Sequence, residues 1–291
     1  MSDYTKKLLV CVDGSFPYME SCLNYTKWIL KHTDAKADVL YVTDSRQFDF
    51  AMLGDFSGSL GAQPYLNLSK SLQRIEEEKI HLIKTKVEDY FKKSGLSEKV
   101  TFKTNRGSLV DSCQELENSA EGIDLLLLGK RGENASFATE HLGANLERVV
   151  RASGRPCWIA NKEYVDIKKL ALAYDDSESA RHALQFLIRS PLFKSLAIDL
   201  VYVSDDATIS EETKTMLNQA EKTLKDNGYH SVNVVCLQDD VCDGIAGHVV
   251  NQAIDLLIMG AYGHSAIRHL LIGSTTTELM RRCKISVLLF R

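Results

Sequence analysis

Asp255-Leu-Leu-Ile-Met-Gly260-Ala-Tyr-Gly263-His-Ser-Ala-Ile-Arg-His-Leu-Leu-Ile-Gly273-Ser274-Thr275 is the stretch on which the reading of this chain turns. An apolar run ends at Gly260, a second glycine follows after two residues, and after nine more comes Gly273-Ser274-Thr275. Glycines after a strand let the backbone approach a ligand, because no Cβ intervenes. A hydroxyl-rich helix start offers N–H groups without intrahelical partners and the positive end of the helix dipole. Together they describe a seat for a phosphate chain at the end of a strand, with a nucleotide as the leading ligand class.

Working outward, the same phrases occur twice in the same order. Lys7-Leu-Leu-Val-Cys-Val-Asp13-Gly-Ser15 matches Lys169-Leu-Ala-Leu-Ala-Tyr-Asp175-Asp-Ser177, and Ala37-Asp-Val-Leu-Tyr-Val42 matches Ile198-Asp-Leu-Val-Tyr-Val203. Ile123-Asp-Leu-Leu-Leu-Leu-Gly129 matches Ile254-Asp-Leu-Leu-Ile-Met-Gly260. A tandem of two similar domains explains this order, and 291 residues suffice for two of ordinary size. The polar stretch Asn161 to Lys168 is the expected seam, giving domains over residues 1–162 and 166–291.

Each half alternates short apolar runs with helical patterns. Strands are expected near 7–12, 37–42, 99–104, 123–128 and 156–160, then near 169–174, 197–203, 231–236, 254–259 and 285–290. Helices are expected near 17–32, 68–93, 108–120 and 144–152, then near 178–190, 208–227, 243–252 and 275–283. In the 68–93 segment Leu72, Ile75, Leu82, Ile83, Val87 and Tyr90 form an apolar stripe interrupted by Lys79. Strands without polar alternation, joined by helices, imply a buried parallel sheet and a doubly wound α/β unit in each half. Ligands of such sheets sit beyond the carboxyl ends of the strands. Asp13, Val42 and Gly129 are therefore expected along one edge, and Asp175, Val203 and Gly260 along its counterpart.

Composition narrows the function classes. Hydrophobic residues make up 44% of the chain, enough for cores, and the formal net charge of -4 gives no basic face for nucleic acid. No apolar run approaches the roughly 20 residues that span a bilayer, and the start of the chain does not read as a secretory signal. Seven scattered cysteines without a CxxC pair read as buried thiols of a cytoplasmic protein. The histidines lack metal-ligand spacing, and no metal site is expected from them. The chain contains no G-x4-G-K-[ST] loop and no G-x-G-x-x-G after its first strand.

These features resemble the universal stress protein family in its tandem form. The resemblance rests on the aspartate after the first strand, the valine ending the second, the Asp-Leu-Leu-Ile-Met-Gly strand, and above all Gly260-x2-Gly263-x9-Gly273-Ser274, whose spacing is the family's ATP-binding signature. It covers nearly the whole chain and is most specific in the second half. It implies two Rossmann-like domains of the adenine nucleotide alpha hydrolase-like type. Each would hold five parallel strands with helices on both faces, and the two would pair through their final strands. It further implies a stress-response protein holding ATP together with Mg2+ in its second domain and read by a protein partner, with homodimerisation left open.

Carried over by position, Asp175 and Val203 would contact adenine, Met259 and Gly260 would lie beside ribose and base, and Gly263, Gly273, Ser274 and Thr275 would hold the phosphates. Thr275 with Glu278 also reads as a capping box, which competes for the same helix end. His264, Arg268 and His269 lie in the glycine loop, and Asp176 is a candidate for helping to hold magnesium. The first half departs from the pattern: ten residues rather than nine precede Gly143, Ala144 replaces the Ser274 hydroxyl, and Glu133 and Glu140 bring negative charge. Lys130 and Arg131 offset those carboxylates only if they face the ligand. The first site is expected to be weak or empty and its domain to serve as a structural partner. No catalytic residues are assigned; an efficient enzyme is not expected, with slow ATP hydrolysis and a nucleotide-independent interaction protein as the rival readings. Residues 46–66, rich in aromatics and glycine, read as a packed surface loop or as a lid or partner-binding loop.

Overall fold

The computed structural model describes residues 5–44, 63–131, 144–205, 208–261 and 273–291. The first half runs β1 (Lys7–Val12), α1 (Phe16–His32), β2 (Lys36–Thr43), α2 (Gln63–Lys93), β3 (Val100–Arg106), α3 (Leu109–Glu117), β4 (Leu125–Gly129), α4 (Ala144–Ala152) and β5 (Cys157–Ala160). The second runs β6 (Lys169–Ala173), α5 (Glu178–Arg189), β7 (Ala197–Ser204), α6 (Glu211–Asp226), β8 (Val232–Gln238), α7 (Val241–Asn251), β9 (Leu256–Gly260), α8 (Ser274–Arg282) and β10 (Ser286–Phe290). Helix α2 starts at Gln63, a turn earlier than its apolar pattern suggests. The residue 46–66 reading falls largely outside the described residues.

All ten strands join one sheet, in the order β3-β2-β1-β4-β5-β10-β9-β6-β7-β8. Within each half every pairing is parallel. The halves meet where β5 and β10 pair antiparallel, with Val287 opposite Ile159, Leu288 opposite Trp158 and Leu289 opposite Cys157. The central strands are buried on both faces, which is why Leu125–Leu128 and Leu256–Met259 carry no polar alternation. The outermost strands β3 and β8 do alternate exposure, as expected of edges covered on one face.

Successive side chains of each strand feed two separate cores. Leu8 and Val10 face α1, α2, α5 and α6, whereas Leu9 and Cys11 face α3, α4, α7 and α8. The helices thus form one layer on each face, and both cores run through the two halves without a break. On α2 the apolar stripe divides: Ile83, Val87 and Phe91 enter the core, while Ile75 and Leu82 remain exposed.

The aspartate of each Ile-Asp-Leu phrase has a structural task. Asp124 Oδ2 accepts the backbone N–H groups of Lys6 and Lys7 at 2.8 and 2.9 Å. Asp255 Oδ2 does the same for Lys168 and Lys169 at 2.8 and 3.0 Å. Each ties the entrance of its own strand to the neighbouring one. Nearby, the buried carboxylate of Asp38 lies 2.8 Å from both Lys7 and Lys103, and that of Asp199 lies 2.8 Å from Lys169 and 2.9 Å from His248. These repeated acids sit at the amino ends of the strands, away from the carboxyl ends where ligands bind.

An aromatic cluster locks the junction. The Trp158 ring lies 5.2 Å from that of Tyr25, 6.1 Å from Trp28 and 6.3 Å from Phe193, which belongs to the second half. Tyr164, in the segment joining β5 to β6, packs 4.8 Å from Tyr25. No helix among the described residues is long and apolar enough to cross a membrane. Because Trp158 is fully buried and touches both halves, Trp158→Ala is expected to cost about 3–5 kcal/mol. Urea unfolding should show a lower midpoint with both halves still melting in one transition.

Candidate functional site

Strand order reverses on either side of β6: β7 lies on one flank and β9 on the other. The crevice beyond the carboxyl ends of β6 and β9 is therefore the topological switch point, where open α/β sheets bind ligands. The residues singled out from the sequence converge on it. Asp175 follows β6, Val203 closes β7, and Met259-Gly260 closes β9. The β6–β9 ladder, with Leu172 opposite Ile258, sets these ends side by side.

Asp175 shapes the turn it begins. Its Oδ1 accepts the Ser177 N–H at 3.0 Å, and Ser177 caps α5 by accepting from Ala180 N at 3.3 Å. Asp176 has a left-handed φ of 59°. Its carboxylate accepts from the Tyr174 hydroxyl at 2.9 Å and faces Arg181 at 3.2 Å. Asp176 is thus engaged within its own turn. Asp240 likewise caps α7 through Cys242 N and Asp243 N.

Val203 packs against Gly244 of α7, where a Cβ would lie 3.1 Å from the valine methyl. Met259 is buried in the α7–α8 core. Gly260 is needed by its own domain: a Cβ there would stand 2.2 Å from Ser179 Oγ and 2.9 Å from Ser179 Cβ. Nothing in the sequence pointed to Ser179, because its partner lies eighty-odd residues away and neither residue belongs to a periodic pattern.

The far wall of the crevice is the start of α8. Ala261 N–H donates to Phe290 O at 2.6 Å, and Ala261 O accepts from Gly273 N at 3.3 Å and from the buried Thr276 hydroxyl at 3.1 Å. Gly273 has an ordinary φ of -54° and no side-chain cap. A Cβ on it would meet only ordinary contacts at 3.5 Å. Among the described residues, neither the backbone nor packing demands glycine there. Ser274 and Thr275 are exposed on the first turn. The capping box is not formed, because the N-cap is Gly273 and Glu278 binds Arg281 and Arg282 instead. Gly263, His264, Arg268 and His269 lie outside the described residues.

The first half repeats the turn. Asp13 Oδ1 accepts Ser15 N at 2.9 Å. Tyr18 stands against Gly129, its Cβ 2.9 Å from where a glycine Cβ would be. Lys130 does not face this crevice. Its buried Nζ donates to Cys283 O, in the other half, at 2.6 Å. Burial pushes this ammonium down from its ordinary value of 10.5 to about 8. Gly132, Glu133, Glu140 and Gly143 lie outside the described residues.

With this duplicated architecture in view, a family model described as "Universal stress protein family" matches residues 5–161 and again residues 166–291. The chain belongs to the universal stress protein family. It is 36% identical, over 98% of its length and 100% of the relative's, to a universal stress protein of Synechocystis sp.. Among solved structures it is similar to a universal stress protein of Archaeoglobus fulgidus DSM 4304, with TM-score 0.70 at 19% identity and 98% of each chain covered. It is also similar to a universal stress protein of Pseudomonas aeruginosa UCBPP-PA14, with TM-score 0.57 at 13% identity, covering 99% of this chain and 94% of that one. These structural likenesses bear on the fold. The repeated crevice at the end of each half is accordingly the repeated crevice of two tandem universal stress protein domains.

Two outcomes follow from this geometry. Gly260→Ala should destabilise the protein by about 1–3 kcal/mol through overpacking against Ser179, and Ser179→Gly in the same chain should recover most of the loss in urea melts. For Lys130, the folded chain releases near pH 8 a proton that the unfolded chain keeps to about 10.5. Its contribution to stability therefore rises with pH across that window. Measured against Lys130→Met, the parent should gain about 1–3 kcal/mol in relative stability between pH 7 and 10.

Proposed function

We propose that the second domain, residues 166–291, binds ATP, and that the first, residues 1–162, is its permanent structural partner with a weak or empty site. The observation that supports this reading is the start of α8, which lies at the switch point behind a glycine that, among the described residues, packing does not require and no side chain caps. A helix end of this kind presents N–H donors and a partial positive charge to phosphate oxygens. Gly263, Gly273, Ser274 and Thr275 would hold the phosphates, Asp175 and Val203 the adenine, and Met259 and Gly260 the region of the ribose. The exocyclic amine of adenine suits a carboxylate, and the exposed Ser274 and Thr275 hydroxyls can donate to phosphate.

Magnesium enters with the nucleotide. Mg2+ keeps several waters and is commonly held through substrate phosphates, so the engaged carboxylate of Asp176 is not an obstacle to the reading.

We assign no catalytic residues. The protein is read as a cytoplasmic stress-response module whose liganded state is recognised by a protein partner. Its seven free thiols, five of them buried, fit a reducing compartment. Ligand binding to the folded form adds stability, about 2.7 kcal/mol at a hundredfold excess over Kd.

Calorimetric titration of the full chain with MgATP should give about one site per chain, and Gly273→Asp, which puts a carboxylate in front of α8, should abolish it. Two equivalent sites, or no binding by the parent, would overturn the reading.

A further inference from the structure

Helix α8 is held at its far end by the other domain. The carbonyl of Cys283, its C-cap residue, accepts from Lys130 Nζ at 2.6 Å. The next carbonyl, that of Lys284, accepts from Asn161 Nδ2 at 2.5 Å, and Asn161 N donates to Ser286 Oγ at 3.1 Å. Lys130 and Asn161 both come from the stretch that ends with the first domain. The Cys283 carbonyl is among those a helix leaves without intrahelical partners, and a cation there complements the dipole.

The place of Lys130 in the fold makes the contact specific. It directly follows Gly129, as Ala261 directly follows Gly260, and the two share a backbone bond: Lys130 N donates to Ala160 O at 2.9 Å, Ala261 N to Phe290 O at 2.6 Å. In the second domain this position supports the start of α8, through Ala261 O. In the first it reaches across the β5–β10 junction to the end of α8. The same helix is thus gripped from both ends by equivalent positions of the two domains. The ammonium is only 7% exposed, and Cys283 O is its acceptor among the described residues. The reverse contact is weaker in kind. Arg291 Nη1 donates to Arg151 O near the end of α4 at 2.9 Å, but at an exposed site.

A helix of nine residues is about 13 Å long and moves largely as one body. A shift of its last turn is therefore felt at the N–H groups of its first. We propose that Lys130 is a positioning residue for the phosphate seat of the opposite domain, so that the first domain sets the nucleotide affinity of the second. This inference rests on the reading that the second domain binds ATP.

The test compares the full-length parent with Lys130→Met, Lys130→Arg and Asn161→Ala. MgATP affinity is measured by calorimetry, amide exchange by mass spectrometry on the ligand-free proteins, and stability in urea. Lys130→Met is expected to weaken MgATP binding about five- to tenfold, within the usual range of coupling between sites, and Lys130→Arg to restore most of it. Exchange at residues 277–280, whose amides make the first intrahelical bonds of α8, should speed up in Lys130→Met while α5 is unchanged. A Kd within twofold of the parent, with unchanged exchange at the start of α8, overturns the proposal even if stability falls. Should Lys130→Met fail to fold, Asn161→Ala carries the same expectation in milder form, and an unaltered Kd and exchange in it likewise overturn the proposal. Should the parent bind no MgATP, the earlier reading fails, and the exchange comparison alone decides whether Lys130 positions the helix.

Discussion

The antiparallel ladder between β5 and β10 is the contact on which the rest of the architecture depends. A five-stranded parallel sheet ends in two edges with unpaired backbone groups. Pairing the two inner edges satisfies those groups and makes both helical layers continuous, so that each core extends through the whole chain. Trp158 at the centre of the ladder fills the space between α1 of one half and Phe193 of the other. Neither half presents a finished surface along this line. The edges that are left, β3 and β8, are the two strands with polar, alternating sequences, which suits strands whose outer side meets water.

Much of this was legible in the sequence because it follows from local pattern. The unbroken apolar runs of β1, β4, β6 and β9 announced strands buried on both faces, and the repeated phrases fixed the tandem order. The carboxyl-end cluster of Asp175, Val203 and Gly260 followed from the direction of parallel strands alone. What escaped was set by contacts distant in sequence. Ile75 and Leu82 of α2 share the helical spacing of Ile83 and Val87 yet stay outside the core, because the sheet lies against a narrower arc of the helix than the pattern spans. Whether Lys130 faces a ligand was open in the sequence, and it is buried on a carbonyl 153 residues away. The Thr275–Glu278 spacing suggested a cap, but the N-cap of α8 is Gly273, so the helix begins two residues too early for it to form.

Besides the ion-paired Asp38 and Asp199, the duplicated aspartates serve two further tasks whose hydrogen-bond partners the sequence does not name. Asp124 and Asp255 accept backbone N–H groups at the amino ends of the sheet and hold neighbouring strands in register. Asp13 and Asp175 stand at the carboxyl ends and order the turn into the next helix. Both kinds recur because the fold needs both. The glycine that ends each neighbouring strand is abutted by the following helix in both halves, Gly129 by the Tyr18 Cβ and Gly260 by Ser179.

The pseudo-twofold relation between the halves has a further consequence. In an assembly of identical subunits, any substitution appears at both symmetry-related places at once, so a lysine following one strand-end glycine would follow the other as well. Fusion into a single polypeptide lifts that requirement. Lys130 occupies one copy of the position and Ala261 the other, so equivalent strand ends of the two lobes carry different side chains with different partners.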